Sequence, residues 1–324
     1  MKKIFIAWRS LSRRTKELAK LLKLDVLFLR DRPPYFFAAL KTFLYLIKSR
    51  PSIVFVQLPQ GPLLALTVLL KKFLRFFLVA DVHTSFLVYS SFKEILLNKP
   101  FRNFLNACNI VIVHNRELKN IAKKEKLGKI VIVLPDPLPE FPAVKIGMKN
   151  DTVKYIFPAS FHEDEPVHYL LEAFSQLTRE NKNVVLYVTG DWRRRKDLLK
   201  YKSDRILFTG FLPVIDYKRL LMSCDVVIGL TIREYTFLSS AAEGLAAGKV
   251  LILSNTRTLQ RIFYKGAIFV NPLDPEDILR GLKKVLDKRV REKLEKEIED
   301  LRAEYTQKVN KKLELLNRLL MSYM

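Results

Sequence analysis

Apolar runs of about five residues, rich in Val, Ile and Leu, recur along the chain, and each is followed by a stretch with helical periodicity. KIFIAW precedes SRRTKELAKLL, DVLFL precedes YFFAALKTFLYLIK, and IVFVQL precedes GPLLALTVLLKKFL. RFFLVADVH follows, then a helical region ending near Asn106, NIVIVHN, RELKNIAKKEKL and KIVIVLP. Short β-branched runs alternating with helices predict a parallel sheet covered on both faces. The segment Pro135–Asn150 has four prolines and little periodicity, and reads as a linker.

The second half repeats the theme. TVKYIFPAS, VHYLLEAFSQL, NVVLYVTG, ILFTG, DYKRLLMSC, DVVIGL, a short small-residue helix, KVLILSN, AIFVN and PEDILRGLKKVLD succeed one another, and a charged helical segment runs on from about Lys288. No repeat of fixed period appears. The expected fold class is α/β: two doubly wound Rossmann-like domains facing across a cleft. The expected boundaries are residues 1–145 for a first domain and 146–287 for a second. Residues 288–324 would form a helix packing back towards the first domain. Ligands in such sheets bind beyond the carboxyl ends of the strands. The loops after IFIAW, LVADVH, YIFPAS, LYVTG and VVIGL therefore carry the candidate chemistry.

Charge changes the picture more than composition does. A hydrophobic content of 49% in 324 residues is that of an ordinary globular chain. Residues 1–150 hold 27 Lys and Arg against 9 Asp and Glu, a net of +18, whereas residues 151–324 are +6. A domain this basic seeks an anionic partner. Its cations are interleaved with large apolar side chains, as in Tyr35–Arg50 and Leu69–Leu78, which suits helices lying in a lipid interface. The alternative is that these are ordinary outer helices buried against the sheet. The longest charge-free run, Pro51–Leu70, is cut by Pro59, Gly61 and Pro62, so no membrane span is expected. The early arginines Arg9, Arg13 and Arg14 interrupt the first apolar run too soon for a signal peptide. Two cysteines in apolar contexts fit a reducing compartment. The expected location is cytoplasmic, peripheral at the cytoplasmic membrane face.

The stretch LTIREYTFLSSAAEGLAAGKVLILSN, Leu230–Asn255, places a carboxylate, Glu243, among alanines and glycines at the start of a short helix. A helix N-terminus suits phosphate. Thr236, Ser239 and Ser240 add hydroxyls there, and Arg233 adds a cation. Glu243, four residues beyond Ser239, shares its helix face and can accept from the vicinal hydroxyls of a ribose. Alternatively, Ser240 and Glu243 form a capping box in which the carboxylate serves only the backbone. Ser160, Phe161 and Gly190 follow the neighbouring strands. Arg193, Arg194, Arg195 and Lys196 come directly after LYVTG and are candidate diphosphate ligands, with a solvated face as the alternative.

At the end of LVADVH, Asp81 and His83 are candidates to take a proton from an acceptor hydroxyl, unless Asp81 caps the next element and His83 packs locally. Arg9, Ser10 and Arg13, in the loop RSLSRR, are candidate ligands of an acceptor phosphate, with Ser12 as an alternative simple cap. The four histidines show no metal-ligand spacing, and there is no D-x-D triplet, so no metal site is expected. His162–Glu165 is an acidic cluster at a strand end, open to a donor-contact or a solvated-loop reading.

EYTFLSSAAEGLAAGKVLILSN resembles the donor-binding element of two-domain (GT-B type) glycosyltransferases of the group 1, or family 4, kind. PASFHEDEPVHYLLEAFSQL, VVLYVTGD, ILFTGFLP and DYKRLLMSCDVVIGL match in that family's order. VADVHTSF is similar, over a short span, to the D-x-H segment of mannosyltransferases acting on dolichyl-diphosphate chitobiose. The resemblance implies that Glu243 is the second glutamate of an E-x7-E pattern and holds the donor ribose. The first glutamate falls on Tyr235, with Glu234 one place early. The Arg and Lys that retaining members use against the diphosphate fall on Ser160 and Glu165. The resemblance further implies that residues 146–287 bind the nucleotide-sugar and that residues 1–145 face the acceptor and the membrane. The expected activity is metal-independent transfer of a sugar from a GDP- or UDP-linked donor, with no further cofactor, to a membrane-associated acceptor: a polyprenyl-phosphate-linked saccharide, another glycolipid or a glycan. The alternatives are a non-catalytic protein of this fold, a nucleotide-sugar epimerase or hydrolase, or a basic nucleic-acid-binding protein.

Overall fold

A computed structural model describes residues 2–89, 91–141 and 151–322. The expected linker and the expected boundary at 145/146 lie partly or wholly outside the described residues. The chain divides into two compact units, residues 1–137 with 307–324, and residues 138–306.

The first unit is built from β1 (Lys3–Trp8), α1 (Arg13–Leu22), β2 (Asp25–Leu29), α2 (Phe36–Ser49), β3 (Ile53–Gln57), α3 (Gly61–Leu74) and β4 (Phe77–Val82). It continues through α4 (Thr84–Leu87), α5 (Phe92–Asn98), β5 (Ile110–Val113), α6 (Arg116–Lys124) and β6 (Val131–Val133). The six strands are parallel in the order β2-β1-β3-β4-β5-β6. β3 and β4 are buried at every position. That explains their unbroken apolar reading, since a strand covered on both faces has no solvent side to alternate with. The order reverses between β1 and β3, and Gln57 at the end of β3 clamps the loop after β1. Its Oε1 accepts from Ser12 N (3.0 Å) and its Nε2 donates to Ser10 O (2.9 Å).

The second unit comprises β7 (Val153–Pro158), α7 (Val167–Glu180), β8 (Val184–Thr189), β9 (Ile206–Gly210), α8 (Val214–Ser223), β10 (Val226–Gly229) and α9 (Ser239–Ala246). β11 (Val250–Ser254), α10 (Arg257–Ile262), β12 (Ala267–Val270) and α11 (Pro275–Lys284) complete its sheet layers. The parallel order is β12-β11-β10-β7-β8-β9, the order of a dinucleotide-binding Rossmann sheet, with its switch point between β7 and β10. Tyr155 anchors this core: it is fully buried, meets Phe174 edge-on at 5.3 Å, and donates from its hydroxyl to Leu282 O at 2.9 Å. A buried phenol needs that partner, because an unmade hydrogen bond there costs about 1–3 kcal/mol.

The last helix, α12 (Lys288–Met321), has a buried stripe of Ile298, Leu301, Tyr305, Val309, Leu313, Leu316 and Leu320. That spacing of three and four is one helix face. Its residues up to Thr306 belong to the second unit and those from Gln307 to the first.

Candidate functional site

At the switch point of the second sheet, the loop after β7 is held by its own carboxylate. Glu165 Oε2 accepts from Ser160 N (2.7 Å) and Phe161 N (2.9 Å). Burial pushes the Glu165 carboxyl up from its ordinary value, against the downward pull of the Ser160 and Phe161 bonds. Beside it, Gly190 takes φ +100° after β8, and a Cβ there would lie 2.0 Å from Ala159 O. Only glycine lets these two loops pass so closely.

The small residues near Glu243 do the same for α9. A Cβ on Gly244 would come within 2.4 Å of Leu251 Cδ2, and one on Gly229 within 2.8 Å of Ser240 Oγ. The helix therefore lies against β10 and β11 at a distance that alanine would not allow. α9 begins at Ser239, and its N-cap is Leu238, with no side-chain capping bond. The capping-box alternative fails for this reason: Ser240 is already inside the helix. Glu243 instead accepts a hydrogen bond through Oε2 from the Tyr217 hydroxyl on α8.

These elements enclose a cavity of about 580 Å³ within the second unit. Of the residues expected on the donor side, Ser160, Gly190, Arg194, Ser239, Ser240 and Glu243 line it. Phe161, Arg195, Arg233, Glu234 and Thr236 are not among its lining residues. Phe161 is buried, with its ring packed towards Gly190. Arg195 makes a two-point surface pair with Asp197 (2.9 and 2.8 Å). Glu234 Oε1 accepts from Arg257 N (3.2 Å), at the first residue of α10, so it serves a helix terminus rather than the cavity. Thr236 Oγ1 donates locally to Glu234 O (3.4 Å), and Arg233 is tied through its backbone N–H to Thr231 Oγ1 (3.1 Å).

Sequence reasoning missed Tyr217, which lies on an unremarkable amphipathic helix, and the aromatic wall of Phe211 and Phe237. Phe237 stacks on Phe263 (5.9 Å) and Tyr305 (6.3 Å). His162 and Glu165 of the acidic cluster also line the cavity. Besides His162 and Tyr217, its ionisable wall holds Glu165, Asp191 and Glu243 against the guanidinium of Arg194, with α9's N-terminal amides as a further source of positive potential.

In the first unit, Asp81 is fully buried. Arg14 Nε donates to both its oxygens (2.9 and 3.1 Å), and the guanidinium reaches on to Leu134 O (2.9 Å) and Asp136 Oδ1 (2.6 Å). Burial alone would raise the Asp81 carboxyl, but Arg14 and His83 hold it well below the usual carboxylate range. A carboxylate so placed is a poor proton acceptor, which corrects the expectation of Asp81 as a base. His83 is half-exposed, and its Nε2 stands 3.4 Å from Asp81 Oδ2. In the loop after β1, Ser12 caps α1 by accepting from Thr15 N (3.0 Å). Arg13 spends Nη1 on Pro137 O (2.9 Å), while Arg9, at φ +67°, and Ser10 are exposed. Among the described residues no group of three or more His, Cys, Asp or Glu side chains is placed to hold a metal ion.

The sequence matches the family model described as Glycosyl transferases group 1 over residues 142–303, half of the chain. No curated protein matches it by sequence. Among solved structures, sucrose-phosphate synthase from Thermosynechococcus elongatus is similar with a TM-score of 0.79 at 14% identity, covering 100% of both chains. HepE from Anabaena, in complex with UDP and glucose, superposes with a TM-score of 0.74 at 12% identity over 98% of this chain and 100% of that one. The UDP-forming α,α-trehalose-phosphate synthase from Burkholderia xenovorans, in complex with glucose-6-phosphate, gives 0.74 at 12% identity, with the same coverage. These likenesses confirm the fold class: two Rossmann-like units of the GT-B kind.

Proposed function

From the premise that the chain belongs to the group 1 glycosyltransferases, we propose that it transfers a sugar from a uridine- or guanosine-diphosphate donor to a lipid-linked acceptor, without a metal. The observation that carries the donor half is Glu243 in the cavity wall, held by Tyr217 one turn below the N-terminus of α9. A fixed carboxylate at that depth accepts from the two vicinal hydroxyls of a ribose, while the amides at Ser239 and Ser240 face the diphosphate. UDP is bound by the structurally similar HepE, so a uridine nucleotide is the donor to test first.

In the transfer, the bond between the anomeric carbon and the diphosphate oxygen breaks, and its electron pair leaves with the nucleoside diphosphate. The acceptor oxygen bonds to the anomeric carbon and gives up its proton. We read His83 as the group that takes that proton. With a proton on the Nε2 that faces Asp81, its Nδ1 lone pair is the base, and Asp81 stabilises the imidazolium that forms. Asp81 is then a positioning residue, itself fixed by Arg14. Preorganised helix amides and Arg194 supply the positive potential for the departing diphosphate.

Support for a lipid-linked, anionic acceptor comes from the net +18 of residues 1–150. Peripheral attachment at the cytoplasmic membrane face is the corresponding proposal for location. The test is a transfer assay in EDTA with UDP- and GDP-hexoses and polyprenyl-phosphate-linked saccharide in mixed micelles. Acceptor-dependent release of nucleoside diphosphate is expected. Release that requires a divalent cation, or that ignores the acceptor, contradicts the reading.

A further inference from the structure

α2 is turned the wrong way for a helix that merely covers a sheet. Its buried residues form a narrow seam of Ala38, Thr42 and Leu46, with Thr42 Oγ1 accepting from Trp8 Nε1 at 3.0 Å. The outward side carries Phe36 (77% exposed), Phe37 (74%), Leu40 (57%), Phe43 (39%), Leu44 (56%) and Ile47 (42%). At 100° per residue these six fall in one arc of about 120°, opposite the seam. Lys41 and Lys48 are exposed along one edge of that arc. α3 packs beside α2 and adds Leu69 (51%) and Phe73 (80%), again with an exposed lysine, Lys72, next to them. A continuous exposed apolar face of this kind marks an interaction surface.

Charge decides what covers it. From Arg32 to Ala80 the sequence contains seven Lys and Arg and no Asp or Glu. The nearest acid before α2, Asp31, is spent on the helix start, accepting from Ala38 N at 2.9 Å. A second copy docked through this face would bring lysines against lysines with no acid in the segment to answer them. An anionic bilayer answers both features at once: acyl chains take the aromatic and aliphatic arc, and headgroup phosphates take the flanking ammonium groups. α2 has 14 residues, about 21 Å of helix, short of the roughly 30 Å apolar thickness of a bilayer. No helix among the described residues is long and apolar enough to cross a membrane.

We propose that α2 is an in-plane lipid anchor, with the Phe36–Ile47 face inserted at the interface of an anionic membrane and Lys41 and Lys48 at the headgroups. This deepens the lipid-linked-acceptor reading and rests on it for its purpose, although the docking itself needs neither donor nor acceptor. All six side chains point away from the core, so polar replacements there leave the fold intact.

The test is co-sedimentation of the full-length protein with phosphatidylcholine vesicles containing phosphatidylglycerol, and with phosphatidylcholine alone. It uses the wild type, Phe36→Ser/Phe37→Ser and Leu40→Ser/Leu44→Ser, with melting temperature and UDP titration run in parallel. Wild type is expected to partition to anionic vesicles, and each double variant to lose at least tenfold of that partitioning with melting and UDP affinity unchanged. In Phe37→Trp, tryptophan emission should shift to the blue on adding anionic vesicles. Variants that partition like wild type overturn the proposal. So does a wild-type dimer that the same variants dissociate in the absence of vesicles, which assigns the face to a second copy. A wild type that binds UDP and ignores vesicles overturns the anchor and leaves the donor site standing. One that docks through α2 but binds no nucleotide overturns the donor site and leaves the anchor standing.

Discussion

The hydroxyl of Tyr217 donates to Oε2 of Glu243, across 26 residues of sequence, and both side chains line the same cavity. One carboxylate oxygen is thereby engaged, and the carboxylate is oriented in the cavity wall. Tyr217→Phe is expected to leave melting unchanged and to weaken UDP binding by ~1 kcal/mol, about fivefold. Calorimetry with UDP and 2′-deoxy-UDP checks the assignment, because discrimination between the two should shrink in the variant. An unchanged ratio between them makes the contact purely structural.

Glu165 predicts a pH dependence. Its carboxyl is raised by burial, and in its charged form it adds a negative charge to a cavity that must take a diphosphate. Protonation removes that charge, so diphosphate affinity should rise as pH falls through the raised folded-state value. Glu165→Gln keeps the acceptor for Ser160 N and Phe161 N while deleting the charge. It should tighten UDP binding at neutral pH by ~1–2 kcal/mol and flatten the pH profile. Titrations across pH 4.5 to 8 would decide, and an unaltered slope in the variant would sink the idea.

The Arg14–Asp81 pair predicts an asymmetry in stability. Both partners are buried, so Arg14→Met leaves the Asp81 carboxylate without its guanidinium, at a cost of about 3–5 kcal/mol, whereas Asp81→Asn leaves Arg14 its second partner, Asp136, and costs less. Arg14→Met should therefore lower the denaturation midpoint sharply, Asp81→Asn by less, and the double variant by less than the sum. Because the Asp81 carboxyl is held low, its stabilisation is present above the unfolded-state value and is lost as pH falls through the folded one. Additive single and double variants in urea melts would contradict this.

His83→Asn should reduce kcat by about 10² to 10⁴ while leaving UDP affinity within twofold of wild type. Steady-state rates with saturating donor, set beside binding data, separate the two effects. A loss confined to KM for the donor would remove His83 from the acceptor side.

The fold was legible because strands buried on both faces announce themselves as β-branched runs, and the helices between them keep a 3.6-residue period. The site was legible only where one segment carried the whole argument. Ser239, Ser240 and Glu243 lie on α9, whose Ala241, Ala242 and Gly244 could be read as close packing before any contact was known. Whether Ser240 capped the helix depended on where α9 started to within one residue, and sequence periodicity does not resolve helix ends that finely. Asp81 looked like a free base because its partner, Arg14, sits 67 positions earlier. Tyr217 was invisible for the same reason. Within the arginine run, Arg193 and Arg195 pair with Asp191 and Asp197, each two residues away, and the backbone kinks at Arg195, a detail that composition does not carry.

The donor site in the second unit is the central claim, and one titration tests it most directly: UDP and GDP into the wild type and Glu243→Gln, calorimetrically, in EDTA. Metal-free binding of one nucleotide is expected, weakened ten- to a hundredfold by the substitution, the loss of a charge-assisted hydrogen bond worth about 1.5–3 kcal/mol. Equal affinity in the two proteins, or binding of neither nucleotide, would contradict the placement of the ribose at Glu243.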